Sequence, residues 1–83
     1  MTKARTKDEK FMLAVYEEAL KAEDMETPFS RYAIGNKIGL HPKGVDTICT
    51  LLLQANFLKK ENKEDVYITE QGIQLVTTLL SDK

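Results

Sequence analysis

Residues 30–60 read SRYAIGNKIGLHPKGVDTICTLLLQANFLKK, and residues 61–72 continue ENKEDVYITEQG. Ser30 offers an N-cap for a short helix over 31–38, on which Ile34 and Ile38 lie four apart and face inward. Gly35 sits where the next helix crosses closely. Gly39 ends the short helix in the left-handed conformation that a Schellman close requires. Leu40 tucks back, His41 precedes Pro42, and Pro42 suits the first turn of the next helix because it has no amide to leave unpaired. That helix spans 42–55, with Val45, Ile48, Cys49 and Leu52 on its inner face. Asn56 turns the chain out of it, since Asn tolerates positive φ. Residues 57–60 and 65–68 then read as two antiparallel strands around Glu61-Asn62-Lys63-Glu64, with Val66 and Ile68 alternating onto one face. Helix, turn, helix and hairpin in this order leave one helix face pointing outward.

On the N-terminal side, Thr6 and Glu9 form the spacing of a capping box for a helix over 7–22. Phe11, Met12, Val15, Ala19 and Ala22 share one face of it, and Leu13, Tyr16 and Leu20 widen that face to about 200°, where a core stripe needs about 100°. Residues 1–6 read as a flexible basic arm. The segment EDMETP breaks the helix, with Pro28 holding Thr27 extended. On the C-terminal side Thr69 caps a helix over 70–81, Glu70 complements its dipole, and Ile73, Val76, Leu79 and Leu80 form its core face. The expected fold is mostly α with a small β-hairpin: a three-helix core, a two-stranded wing and a C-terminal helix, in a single domain over 7–81.

Eighty-three residues bound this to one small domain. By surface scaling such a chain buries somewhat over 60% of its unfolded surface, enough to fold alone. Apolar residues make up 42% and charged residues 30%, which excludes a disordered tail. One cysteine and one histidine exclude an intrachain disulfide and a zinc quartet, and no other metal or cofactor is expected. The N-terminus MTKARTK lacks the apolar core of a signal peptide, and no apolar run can span a bilayer. A reducing, cytoplasmic setting is the natural expectation.

The net charge is −1, but it is unevenly spread. Between Thr27 and Lys60 five cations face Asp46 alone, a net +4, while residues 1–26 carry −2 and residues 61–83 carry −3. Phosphate contact needs a local positive face rather than a positive whole. The outward face of helix 42–55 holds Lys43, Thr47, Thr50 and Gln54, with Asp46 on its flank. Lys bonds the acceptors of guanine, Gln the edge of adenine, and Thr either edge or the thymine methyl. The plainer alternative is a solvated polar helix face.

The segment 30–60 resembles the helix-turn-helix and first wing strand of the winged helix-turn-helix superfamily. DVYITEQGIQLV resembles the wing-to-last-helix junction of MarR-like and PadR-like transcription regulators, in which an aromatic, a β-branched residue, Thr, Glu and Gly follow in that order. The match covers about 7–81. It implies a DNA-binding regulator with Lys43, Thr47 and Thr50 in base contact, Ser30, Arg31 and His41 at phosphates, and Lys59, Lys60 and Lys63 on the wing. Three departures stand out. His41-Pro42 follows the turn where Ser or Thr is more usual. Asp46 falls where a basic or small polar residue is expected. The recognition helix has no arginine.

Catalysis is not expected. His41 stands alone at a helix start, Cys49 lies on a core face, and no Gly-rich phosphate loop occurs. No small-molecule substrate is expected, and ligand sensing has no separate effector domain to house it. The expected partner is double-stranded DNA. The alternative is a protein-interaction module, as a homodimer or with another partner, using Leu13, Tyr16, Leu20, Leu51, Leu53 or Leu75 as anchors.

Overall fold

The computed structural model describes residues 6–81. Apart from Thr6, the expected basic arm lies outside the described residues. Four helices carry most of the chain: α1 (Lys7–Lys21), α2 (Arg31–Lys37), α3 (Pro42–Gln54) and α4 (Glu70–Ser81). Three short strands, β1 (Phe29–Ser30), β2 (Leu58–Lys60) and β3 (Asp65–Ile68), form an antiparallel sheet in the order β1-β3-β2.

Most of the helix ends have a local cause. Thr6 and Glu9 make the reciprocal capping box: the Glu9 amide donates to Thr6 Oγ1 at 3.3 Å, and the Thr6 amide donates to Glu9 Oε1 at 2.9 Å. Helix α2 ends in a Schellman motif. The Leu40 amide reaches back to the Gly35 carbonyl at 2.8 Å and the Gly39 amide to that of Asn36 at 3.3 Å, with Gly39 at φ 76°. Helix α3 closes the same way, with the Phe57 amide on Leu52, the Asn56 amide on Leu53, and Asn56 at φ 64°. Thr69 Oγ1 accepts from the Gly72 amide at 3.0 Å and donates to the Asn56 carbonyl at 2.5 Å, so one hydroxyl caps α4 and ties it to the exit from α3.

Two glycines set the closest packing. A Cβ on Gly35 would lie 2.2 Å from Val45 Cγ2, so α2 and α3 cross where only a hydrogen fits. A Cβ on Gly72 would lie 2.2 Å from the Phe57 carbonyl oxygen and 2.8 Å from Ile68 Cγ1. The core between these contacts is fully buried Phe11, Met12 and Val15 from α1, Ile34 from α2, Val45 and Cys49 from α3, Leu58, Val66 and Ile68 from the sheet, and Val76 from α4.

Three expectations need correction. The sheet has three strands, not two: Phe29 pairs with Val66 and Ser30 with Asp65, adding β1 to the far side of the hairpin. Two residues after Pro28 show no periodicity, so only the tertiary pairing reveals this strand. The first hairpin strand begins at Leu58, because the Phe57 amide is spent on closing α3. Leu80 is 55% exposed and not on the core face, which narrows to Gly72 and Val76 with Ile73 and Leu75 packed at its margin.

Candidate nucleic-acid interface

Helix α3 packs its inner face, Val45, Ile48, Cys49 and Leu52, on α1, α2 and β2. Its other side presents Lys43, Asp46, Thr47, Thr50, Leu51 and Gln54 to solvent, with His41 exposed at the N-cap. His41 Nδ1 accepts from the Lys43 amide at a long 3.4 Å. Thr47 and Thr50 each turn the hydroxyl proton back onto their own helix, to the carbonyls of Lys43 (3.2 Å) and Asp46 (2.9 Å). Outward they therefore offer oxygen lone pairs and a methyl group, which suits acceptance from a base amine or contact with a thymine methyl.

Asp46 is the carboxylate that clashes with a phosphate-binding face, and the structure gives it partners. Tyr32 donates its phenol to Asp46 Oδ1 at 2.6 Å, and Arg31 Nη1 lies 3.8 Å from the same oxygen. The hydrogen bond to the Asp46 carboxylate, aided by desolvation and the carboxylate's charge, raises the Tyr32 pKa and keeps the phenol protonated as a donor. Tyr32 and Asp46 stand fourteen residues apart on separate helices, so no spacing rule could have paired them.

Two of the expected phosphate contacts are placed otherwise. Arg31 is 8% exposed. Its Nε donates to the Glu64 carbonyl at 3.2 Å and its Nη2 to the Lys63 carbonyl at 3.3 Å, so the guanidinium is committed inside the protein. Ser30 occupies the N-cap position of α2 but makes no side-chain cap; its hydroxyl donates to Glu64 Oε2 at 2.5 Å. Both corrections have one cause. The hairpin turn folds back onto the start of α2, and β1 brings Ser30 and Arg31 beside it.

The hairpin lysines divide. Lys59 lies opposite Tyr67 in the sheet and lines a hollow of about 620 Å³ with Met25, Glu26, Glu70 and Ile73; none of the lining residues comes from α3. Lys60 and Lys63 are exposed at the hairpin end nearer α2. Among the described residues Lys43, Lys59, Lys60 and Lys63 make no ion pair, whereas Lys37 pairs with Glu18. That contact, with help from Lys21, holds the Glu18 carboxyl below the usual glutamate range.

The candidate interface residues divide as well. Leu13, Tyr16, Leu53 and Leu75 are half-buried against the core, so their apolar surface is already used. Leu20 and Leu51 are 58% and 56% exposed. Leu51 lies among the polar groups on the exposed face of α3. Burial pushes the Cys49 thiol up to about 11, which keeps it protonated and unreactive. Among the described residues no group of three His, Cys, Asp or Glu could hold a metal, and no helix is long and apolar enough to cross a membrane.

No family model matches this chain, and neither does any curated protein or solved structure.

Proposed function

We propose that this chain is a small DNA-binding protein of the winged helix-turn-helix type, acting as a transcription regulator. It docks α3 in the major groove and sets the β2–β3 hairpin on the flanking backbone. The element order and the hairpin folded against the start of α2 support the winged arrangement. One observation carries the functional reading. The exposed side of α3 carries one cation, Lys43, and the hydrogen-bonding groups of Thr47, Thr50 and Gln54 around Leu51, and its single carboxylate is engaged by Tyr32 and Arg31. Lys43, Thr47, Thr50 and Gln54 then face base edges, His41 stands at the phosphate rim, and Lys60 and Lys63 reach phosphates beside the groove.

The test is a salt titration of binding to a random-sequence duplex, read by fluorescence anisotropy. With Lys60 and Lys63 as the phosphate contacts, the log–log slope has a magnitude of about 1.8 per chain, at about 0.9 per phosphate. Lys63→Ala lowers it by about 0.9, and Lys43→Ala, which removes a base contact, weakens binding. Binding that ignores salt, or no binding at low salt, overturns the proposal.

A second reading rests on Leu20 and Leu80, large apolar side chains more than half exposed on α1 and α4. They fit a protein interface, including one between two copies of the chain. Sedimentation velocity on the wild type and on Leu20→Glu tests the homodimer: a dimer that the substitution dissociates supports it, and a wild-type monomer at high concentration rejects it.

A further inference from the structure

Arg31 is placed oddly for a cation. It is the first residue of α2, where the helix dipole disfavours positive charge, and it is the one charged side chain among the buried residues of the described chain. Burying a guanidinium is costly unless its donors are used. Here they are used on two parts of the fold at once, the hairpin turn and α3. The Arg31 amide and Nε both donate to the Glu64 carbonyl, at 3.1 and 3.2 Å, and Nη2 donates to the Lys63 carbonyl at 3.3 Å. Nη1 faces Asp46 of α3 at 3.8 Å. The planar fork can hold several acceptors in fixed directions, which an ammonium cannot. Ser30, bonded to the Glu64 carboxylate, and Tyr32, bonded to Asp46, brace the same junction from either side.

The hairpin needs such a clamp. Its turn, residues 61–64, is exposed and mixed in charge, and its internal order comes from the Asn62 side chain, which accepts from the Glu64 and Asp65 amides. Those bonds shape the turn but do not fix where it points relative to α3.

We propose that Arg31 is a positioning residue for nucleic-acid binding: it locks the hairpin turn to α3 through one guanidinium, and so fixes Lys63 in register with the outward face of α3. Its contribution to binding passes through Lys63 and not through a phosphate of its own. This rests on the DNA-binding reading above, and the measurements are chosen to separate the two.

The experiment measures the salt slope of duplex binding for the wild type, Arg31→Met, Lys63→Ala and the double variant, with circular dichroism to verify folding. Met keeps the buried stem and removes the donors. Each single change is expected to lower the slope magnitude by about 0.9, and the double variant by the same about 0.9. Arg31→Lys, which keeps the charge, should lose the contact as Arg31→Met does. A double variant that loses about 1.8 makes Arg31 a phosphate ligand in its own right and overturns the proposal. A folded Arg31→Met with unchanged slope and affinity overturns it too, by reducing Arg31 to a purely structural group. Should Arg31→Met fail to fold, Arg31→Lys replaces it in the same cycle. If the wild type binds no duplex, the DNA-binding reading fails, and amide exchange then judges the clamp alone. Faster exchange at the Glu64 and Asp65 amides in Arg31→Lys supports it, and unchanged exchange rejects it.

Discussion

Helices α3 and α4 are nearly equal in length, 13 and 12 residues, and both are amphipathic by sequence, yet they are buried very differently. Helix α3 sinks Val45, Ile48, Cys49 and Leu52 into the core, while α4 buries only Gly72 and Val76 and leaves Leu80 in solvent. The difference lies in their surroundings. Helix α3 is covered by α1, α2 and β2, whereas α4 meets α1 and β3. An apolar stripe states what a helix can bury, and the number of neighbours decides how much it does bury. The half of the molecule around α3 is accordingly held by side-chain packing. Helix α4 is held by its first turn, where Gly72 lies against the Phe57 carbonyl and Thr69 bonds Asn56.

The strongest way to break this contrast is to push α4 off its seat. Gly72→Ala places a methyl 2.2 Å from a backbone oxygen that cannot rotate away, and should destabilise by about 3 kcal/mol in urea unfolding. Gly35→Ala meets the Val45 side chain at the same distance, but Val45 can shift and Ala favours the helix, so its cost should be about 1–2 kcal/mol. Next, Leu52→Ala should cost about 3 kcal/mol, while Leu80→Ala on α4 should change stability by less than about 0.5 kcal/mol. Equal effects would remove the distinction between the two helices.

Capping sharpens the comparison at smaller scale. Thr69→Ala removes a 3.0 Å cap and the bond to Asn56 together, for about 1.5 kcal/mol. His41→Ala removes a 3.4 Å contact at the start of α3, where Pro42 already sets the backbone, and should cost about 0.3 kcal/mol. The smallest effect lies at the α1–α2 surface. The Lys37 contact depresses the Glu18 pKa in the folded state, so this pair adds stability above the ordinary glutamate value of about 4.3. That contribution fades as pH falls through the lowered folded value. Lys37→Met should therefore narrow the stability gap between pH 6 and pH 3, as read by thermal melts.

How far the chain could be read depended on how local each cause was. The Schellman ends at Gly39 and Asn56, the Thr6 box, the Thr69 cap and the inner face of α3 are fixed by a residue and its neighbours within one or two turns, and all were legible. Strand β1 was not, because two residues have no period and Phe29 pairs with Val66 across the fold. Within the candidate site, the exposure of Lys43, Thr47, Thr50 and Gln54 followed from helical spacing. The burial of Arg31 did not, since a guanidinium beside a helix start reads as surface until a hairpin turn supplies carbonyls 33 and 32 residues away. Nor did the pairing of Asp46, whose phenol donor comes from another helix.

Local chemistry by itself thus determined four helices, most of their ends, the presence of the hairpin and which face of α3 looks outward. Each of these is set by backbone hydrogen bonds and side-chain periodicity over a few residues. Only the tertiary structure decided that Arg31 is buried and Ser30 bonds Glu64 to hold the hairpin, that Lys59 borders a hollow no α3 residue lines, and that Leu80 stays in water. Those outcomes depend on distant elements arriving at the same place, and burial and charge pairing are properties of that meeting, not of any one segment.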